Sequence, residues 1–209
     1  MNLKKKVHYK FTLLLSFVLI LCGCAIFKTP FKEVADQSGI DTLIGDTVFN
    51  RVAFRTWEGH VIRFTNVYHR GVFIPAGTEC TIKDISKKVI TFVANDREYV
   101  LGRWLTAVSP EDIKLSFHKF FAEDKNRIGL DKINPAFRDS IESGVDEIGM
   151  TKEEILLTLG YPAYLGGTNL TSDYGREFIL SQPEWNYLKP DKNRTLFMFK
   201  GNKLYKIVD

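Results

Sequence analysis

The pattern of apolar and polar positions divides the chain into stretches with different periods. Residues 11–21 form an unbroken apolar run, and residues 51–105 contain short runs of alternating β-branched and aromatic residues separated by turn residues. The four predicted strands are residues 61–67, 79–85, 88–95 and 97–101. We predict an α+β protein whose amino-terminal region, residues 51–105, is a small antiparallel β barrel or meander.

A helix is predicted after this β region. Ser109 is a suitable N-cap, and Pro110 occupies the first helical position. The apolar positions of this helix recur at i, i+4, i+7 and i+8 and are Ile113, Phe117, Phe120 and Phe121. An aromatic stripe at this spacing is typical of core packing, and a ligand pocket is the less favoured interpretation. We assign residues 106–130 to a helix and linker that bridge the two halves.

Two helices are predicted to begin the carboxy-terminal domain, residues 131–209. Asn134-Pro135 opens the first helix and Gly144 ends it. The boundary residues of the second helix are Gly149, Met150, Thr151 and Glu154 at its start and Gly160 and Pro162 at its end. Thr151 and Glu154 predict a capping box, and Gly160 stands where a positive φ would end the helix.

Three antiparallel strands are predicted after these helices, at residues 184–188, 195–200 and 203–207. Trp185 and Tyr187 both lie on the first of these strands. We interpret Trp185 mainly as a core residue. Gly201-Asn202 predicts a two-residue hairpin turn between the last two strands.

This order of elements resembles the BamE/SmpA/OmlA family of small outer-membrane lipoproteins. The shared motifs are Gly-Met-Thr before the second helix, Leu-Gly-x-Pro after it, Trp-x-Tyr on the first strand and Phe-x-Gly-Asn-x-Leu at the hairpin, within residues 134–209. The resemblance implies a helix pair on one face of a three-stranded sheet, and a role in protein contacts rather than catalysis. The chain departs from the family in its extra β region and in the long loop at residues 164–182. The architecture also resembles the repeats of secreted β-lactamase inhibitor proteins, so the fold permits enzyme inhibition.

The amino terminus has the features of a lipoprotein signal peptide, residues 1–23. Four lysines precede the apolar run, and Leu21-Cys22-Gly23-Cys24 resembles a lipobox. We predict acylation of Cys24 and a membrane tether at residues 24–50. Because Ala25 rather than aspartate follows the cysteine, we expect the periplasmic face of the outer membrane. The alternative is a plain signal peptide with two incidental cysteines.

Charge and motif content exclude several functions. The chain has 29 basic and 25 acidic residues, and the four lysines of the signal peptide account for the excess. The remaining neutral balance gives no general attraction for phosphates, so we expect no nucleic-acid binding. The sequence contains no metal-ligand spacing and no nucleophile elbow, so we expect no metal, no cofactor and no enzyme activity. Cys80 is interpreted as a buried structural thiol.

The long loop at residues 164–182 is the place where the sequence suggests surface function. Tyr164, Tyr174 and Arg176 are residue types common at interfaces, whereas the alternative is a mobile insertion. We predict a non-enzymatic envelope scaffold that contacts an outer-membrane or periplasmic protein, in outer-membrane assembly or integrity. The alternative is a binding or inhibitory module for a periplasmic enzyme or a cell-wall ligand.

Overall fold

The structure, a computed structural model, describes residues 43–65, 68–86, 89–102, 110–171, 174–189, 191 and 193–209. Within these ranges the chain forms two β-sheets and four α-helices, so the predicted α+β class is confirmed. The predicted signal peptide, Cys24 and the helix cap at Ser109 lie outside the described residues.

Eight strands form the first sheet. Their bounds are Thr47–Asn50 (β1), Phe54–Glu58 (β2), Val61–Ile62 (β3), Phe73–Ile74 (β4), Glu79–Ile85 (β5), Val89–Ala94 (β6), Arg97–Gly102 (β7) and Phe121–Ala122 (β8). Their spatial order is β4-β2-β3-β7-β6-β5-β1-β8. Strands β5, β6 and β7 are consecutive antiparallel neighbours, whereas β3 pairs with β7 in parallel. The sheet is therefore mixed, and the prediction of a purely antiparallel region is wrong at this pair.

Strand β1 lies inside residues 24–50, the range predicted as a membrane tether. It pairs with β5, and Val48 lies opposite Cys80 in that register. The predicted boundary at residue 51 therefore falls after the first strand of the sheet. The predicted strand at residues 61–67 is also too long, because β3 ends at Ile62 and Phe64 then turns into the core against Phe120.

Helix α1, Pro110–Phe120, is the predicted bridging helix. Its buried aromatic stripe is confirmed, although Phe121 belongs to β8 rather than to the helix. The Phe120 ring centre lies 5.5 Å from that of Phe64 in the amino-terminal half and 5.5 Å from that of Tyr161 in the carboxy-terminal half. The stripe therefore joins the two halves in one core.

The carboxy-terminal half contains three helices and the second sheet. The helices are Arg138–Ser143 (α2), Lys152–Leu159 (α3) and Arg176–Ser181 (α4), and the strands are Tyr164–Leu165 (β9), Thr168–Asn169 (β10), Glu184–Leu188 (β11), Arg194–Lys200 (β12) and Lys203–Val208 (β13). The sheet order is β10-β9-β11-β12-β13. The three predicted strands are present as β11 to β13, but a sheet of only three strands is wrong, because β9 and β10 extend it from the stretch predicted as a long loop.

The motif residues of this half are caps and core positions. The Glu154 amide donates to the Thr151 hydroxyl and the Glu154 carboxylate accepts from the Thr151 amide, so the capping box is confirmed. Gly160 has a φ of 75°, as predicted. The side chains of Trp185 and Tyr187 are fully buried, and they donate to the carbonyls of Ile179 and Gly160 at 3.1 and 2.8 Å.

We expect Trp185→Ala to lower the free energy of unfolding by about 3–5 kcal/mol, because it removes a fully buried indole from the core. Urea denaturation of the full chain, followed by circular dichroism, measures this loss. Tyr205→Ala is the matched control, because Tyr205 is 49% exposed on the same sheet. An unchanged midpoint for Trp185→Ala would show that Trp185 is not a core residue.

Candidate functional site

Two arginines stack on one tryptophan near the β4 edge of the first sheet. The guanidinium carbon of Arg63 lies 3.7 Å from the Trp57 ring centre, and that of Arg70 lies 4.6 Å from it. The electron-rich face of an indole attracts a cation, with about 0.5–1 kcal/mol for an exposed pair. Trp57 and Arg70 are half-buried and Arg63 is exposed, so the stack faces solvent.

The segment that carries Arg70 is fixed to β2 by its backbone. The Thr56 amide donates to the Val72 carbonyl at 3.1 Å, and the Val72 amide donates to the Thr56 hydroxyl at 2.9 Å. Gly71 has a φ of 77°, and a Cβ there would overlap the Thr56 carbonyl oxygen. This close approach requires glycine. The close packing of Gly71 on Thr56 holds Arg70 beside β2, the strand that carries Trp57.

Two exposed valines add apolar area beside the stack. Val61 is 37% exposed on β3, the neighbour of β2, and Val72 is 40% exposed beside Thr56. We define the Trp57 surface as Trp57, Arg63 and Arg70 with Val61 and Val72. Tryptophan and arginine are enriched among the residues that dominate protein-binding energy, and a stacked arginine loses less freedom on binding than a free one.

A second polar cluster joins the two halves of the protein. The Asp146 carboxylate, whose side chain is only 5% exposed, accepts from the Tyr68 hydroxyl at 3.0 Å and lies 3.2 Å from the His69 imidazole. Arg55 donates to the Gly144 carbonyl at 3.0 Å. Burial and the charge of Asp146 both raise the pKa of Tyr68, so its phenol stays a neutral donor.

The contacts of this cluster indicate a structural junction. The Tyr68 amide donates to the Leu188 carbonyl at 2.7 Å, and the Tyr68 ring packs on Tyr187 and Phe197 of the second sheet. A histidine beside a buried carboxylate is also the arrangement of a general base. Among the described contacts of His69, however, the partners are the Asp146 carboxylate and the Tyr68 ring, and the Tyr68 hydroxyl donates to Asp146 rather than to His69.

The predicted interaction residues have separate partners. Arg194 stacks on the Tyr164 ring at 3.7 Å, Tyr174 stacks on Phe178 at 4.8 Å, and Arg176 hydrogen-bonds the Tyr161 phenol at the start of α4. These contacts do not bring Tyr164 together with the other two. The role of all three in binding stays a prediction.

The remaining candidate chemistry is limited in the part of the chain that the structure describes. Cys80 is buried, as predicted, and burial raises the pKa of its thiol to about 12. In the described ranges no three His, Cys, Asp or Glu side chains are grouped to hold a metal ion. Among the same residues, no helix has the length and apolar character needed to cross a membrane.

Comparisons of the chain with protein-family models, curated proteins and solved structures found no match. Sequence reasoning missed the Trp57 surface, because a tryptophan in a β-run is ordinarily a core residue. The sequence signal that could have indicated this surface is the presence of two arginines, Arg63 and Arg70, within a short distance after Trp57.

We expect Asp146→Ala to destabilise the protein by about 1–3 kcal/mol, because the Tyr68 hydroxyl loses its acceptor. Tyr68→Phe removes the hydroxyl without leaving a donor unpaired and should cost less. Glu98→Ala, at an exposed position on β7, is the control. Urea denaturation of the full chain measures each loss, and equal midpoints for Asp146→Ala and Glu98→Ala would contradict the junction role.

Proposed function

We propose that this protein is a lipid-anchored envelope scaffold that binds another protein through the Trp57 surface and performs no catalysis. The observation that carries the proposal is the solvent-facing stack of Arg63 and Arg70 on Trp57. The stack presents a large apolar ring and two cations in a fixed arrangement. Such a surface suits a partner with acidic side chains around an apolar patch.

The anchoring part of the proposal is supported by the sequence at Leu21-Cys22-Gly23-Cys24. An acylated Cys24 would hold the protein at the membrane, and we place it on the periplasmic face of the outer membrane. The tether would then be shorter than residues 24–50, since β1 begins at Thr47.

The order of elements in the carboxy-terminal half supports the proposal that this half is a scaffold like those of the BamE/SmpA/OmlA family. Helices α2 and α3 precede β11, β12 and β13 in the order that the resemblance implies. The motif residues Thr151 and Gly160 serve as caps, and Trp185 and Tyr187 serve as core. We propose that this half is the family-like unit, and that the first sheet is an added barrel-like region that carries the Trp57 surface.

We expect Trp57→Ala to reduce recovery of the partner about tenfold or more, since a central interface residue contributes about 2 kcal/mol or more. The measurement is affinity capture of the tagged full-length protein from crosslinked envelopes, with quantitative mass spectrometry. Tyr205→Ala is the control, because it removes an aromatic ring that is 49% exposed elsewhere.

The identity of the captured protein separates the two functions. An outer-membrane assembly component lost with Trp57→Ala supports the scaffold. A single soluble enzyme or a glycan supports the alternative of a binding or inhibitory module. Equal recovery with Trp57→Ala and Tyr205→Ala would show that the Trp57 surface is not the binding site.

We expect the mature chain to begin at Cys24 with acyl groups on that residue. Mass spectrometry of the mature amino terminus tests this directly. Cys24→Ser should leave an unprocessed precursor, whereas Cys22→Ser, the matched control, should be processed normally. An unmodified terminus, or one that begins downstream of Cys24, would exclude the anchor.

A further inference from the structure

A cavity of about 160 Å³ lies between the turn that joins β4 to β5, the segment of residues 125–133 and helix α2. Its lining residues are Pro75, Ala76, Lys125, Leu130, Ile133, Arg138, Ile141 and Glu142. The most deeply buried of them, Ile133 and Ile141, are apolar, whereas all three charged residues are exposed. The cavity therefore has an apolar interior and a charged mouth that solvent reaches.

The wall of the cavity at Pro75 and Ala76 is held in place by the fully buried Asn50. The Asn50 side-chain amide donates to the Pro75 carbonyl at 2.8 Å, and the Gly77 amide donates to the Asn50 carbonyl at 2.8 Å. Gly77 has a φ of 80°, and a Cβ there would lie 2.5 Å from the Leu130 Cδ1 atom. The turn therefore packs on the opposite wall through a glycine, and both walls have fixed positions.

The charged side chains at the mouth are free to pair with a ligand. They are Lys125, Arg138 and Glu142, and the two ion pairs found among the described residues, at Asp146 and Asp209, include none of them. Arg138 and Glu142 are four residues apart on α2, so they lie on the same side of that helix. Among the lining residues, two cations and one carboxylate give the mouth a net positive charge, which favours an anionic ligand.

We propose that this cavity binds the carboxy-terminal residue of a polypeptide, with its apolar side chain inside and its carboxylate at the mouth. A cavity of about 150 Å³ with apolar walls is large enough for one benzene ring, so this cavity has room for one aliphatic or aromatic side chain. Arg138 offers two parallel N–H donors to a carboxylate, and Lys125 adds a second positive charge. The site shares no residue with the Trp57 surface.

The carboxylate of Glu142 favours a polypeptide over a free aliphatic acid. Both ligands carry a carboxylate and an apolar group, but a carboxy-terminal residue also carries a peptide N–H close to its carboxylate. A carboxylate side chain accepts hydrogen bonds only, so Glu142 would accept from this N–H. A free acid offers no donor to Glu142 and would meet only its negative charge.

The test is a titration of the full-length protein with acetyl-leucine, which carries an apolar side chain, a carboxylate and one peptide N–H. The protein, labelled at its isoleucine methyl groups, is held in nanodiscs of zwitterionic lipid and followed by NMR. We expect saturable shifts at Ile133 and Ile141, which line the cavity, and none at Ile90, which is buried in the first sheet. Acetyl-leucine amide, which lacks the carboxylate, should bind about tenfold more weakly, because two ion pairs are lost.

Substitutions at the mouth and in the wall test the two parts of the site. Arg138→Gln and Lys125→Gln should each weaken acetyl-leucine binding about threefold to fivefold, as expected for an exposed ion pair. Arg97→Gln, at an exposed position on β7, is the control and should leave the affinity unchanged. Ala76→Leu should fill the cavity and abolish binding. Urea denaturation checks the folding of each variant, and should Ala76→Leu fail to fold, the two exposed charge variants keep the test.

Comparison with 4-methylpentanoate separates the polypeptide terminus from a free acid. This acid has the carboxylate and the branched alkyl group of acetyl-leucine but no N–H. We expect acetyl-leucine to bind more tightly, and Glu142→Ala should remove that preference, because the N–H then loses its acceptor.

Any of four results would overturn the inference. They are an absence of saturable shifts at Ile133 and Ile141, equal binding of acetyl-leucine and its amide, unchanged binding by both glutamine variants of the mouth, and binding of 4-methylpentanoate that is as tight as that of acetyl-leucine. The last result would reassign the cavity to a free acid. Acetyl-leucine binding together with unchanged capture by Trp57→Ala would support the cavity and remove the Trp57 surface as a contact.

Discussion

The packing of Phe120 against Tyr161 is the interaction on which the rest of the structure depends. Phe120 ends α1 and contacts Phe54 and Phe64 of the amino-terminal half, while Tyr161 comes directly after the cap that ends α3. A fully buried tyrosine needs a partner for its hydroxyl, and the Lys119 carbonyl supplies one. The Phe120–Tyr161 ring contact and the Tyr161–Lys119 hydrogen bond both join the end of α1 to the residue that follows α3. The buried residues of the two sheets therefore belong to one hydrophobic core. The Asp146 junction supports the same arrangement from the side of β11.

The sequence predicts the helix caps and the hairpin turn of the fold well. The capping box of α3, the positive φ of Gly160 and the hairpin at Gly201-Asn202 each depend on residues that are neighbours in the chain. Strand β1 was missed because its partners, β5 and β8, lie far away in sequence and its four residues carry too little pattern. The parallel pairing of β3 with β7 and the pairing of β9 with β11 also join residues that are far apart in the sequence. Composition and periodicity do not determine which strands become neighbours.

The candidate surfaces were less predictable than the fold. The sequence marks Arg176 as a contact-prone residue type, but its partner in the fold is the buried Tyr161 phenol, which is distant in sequence. The sequence does not predict the Trp57 surface, because that surface depends on the Gly71 segment, which lies against β2 and places Arg70 over the Trp57 ring.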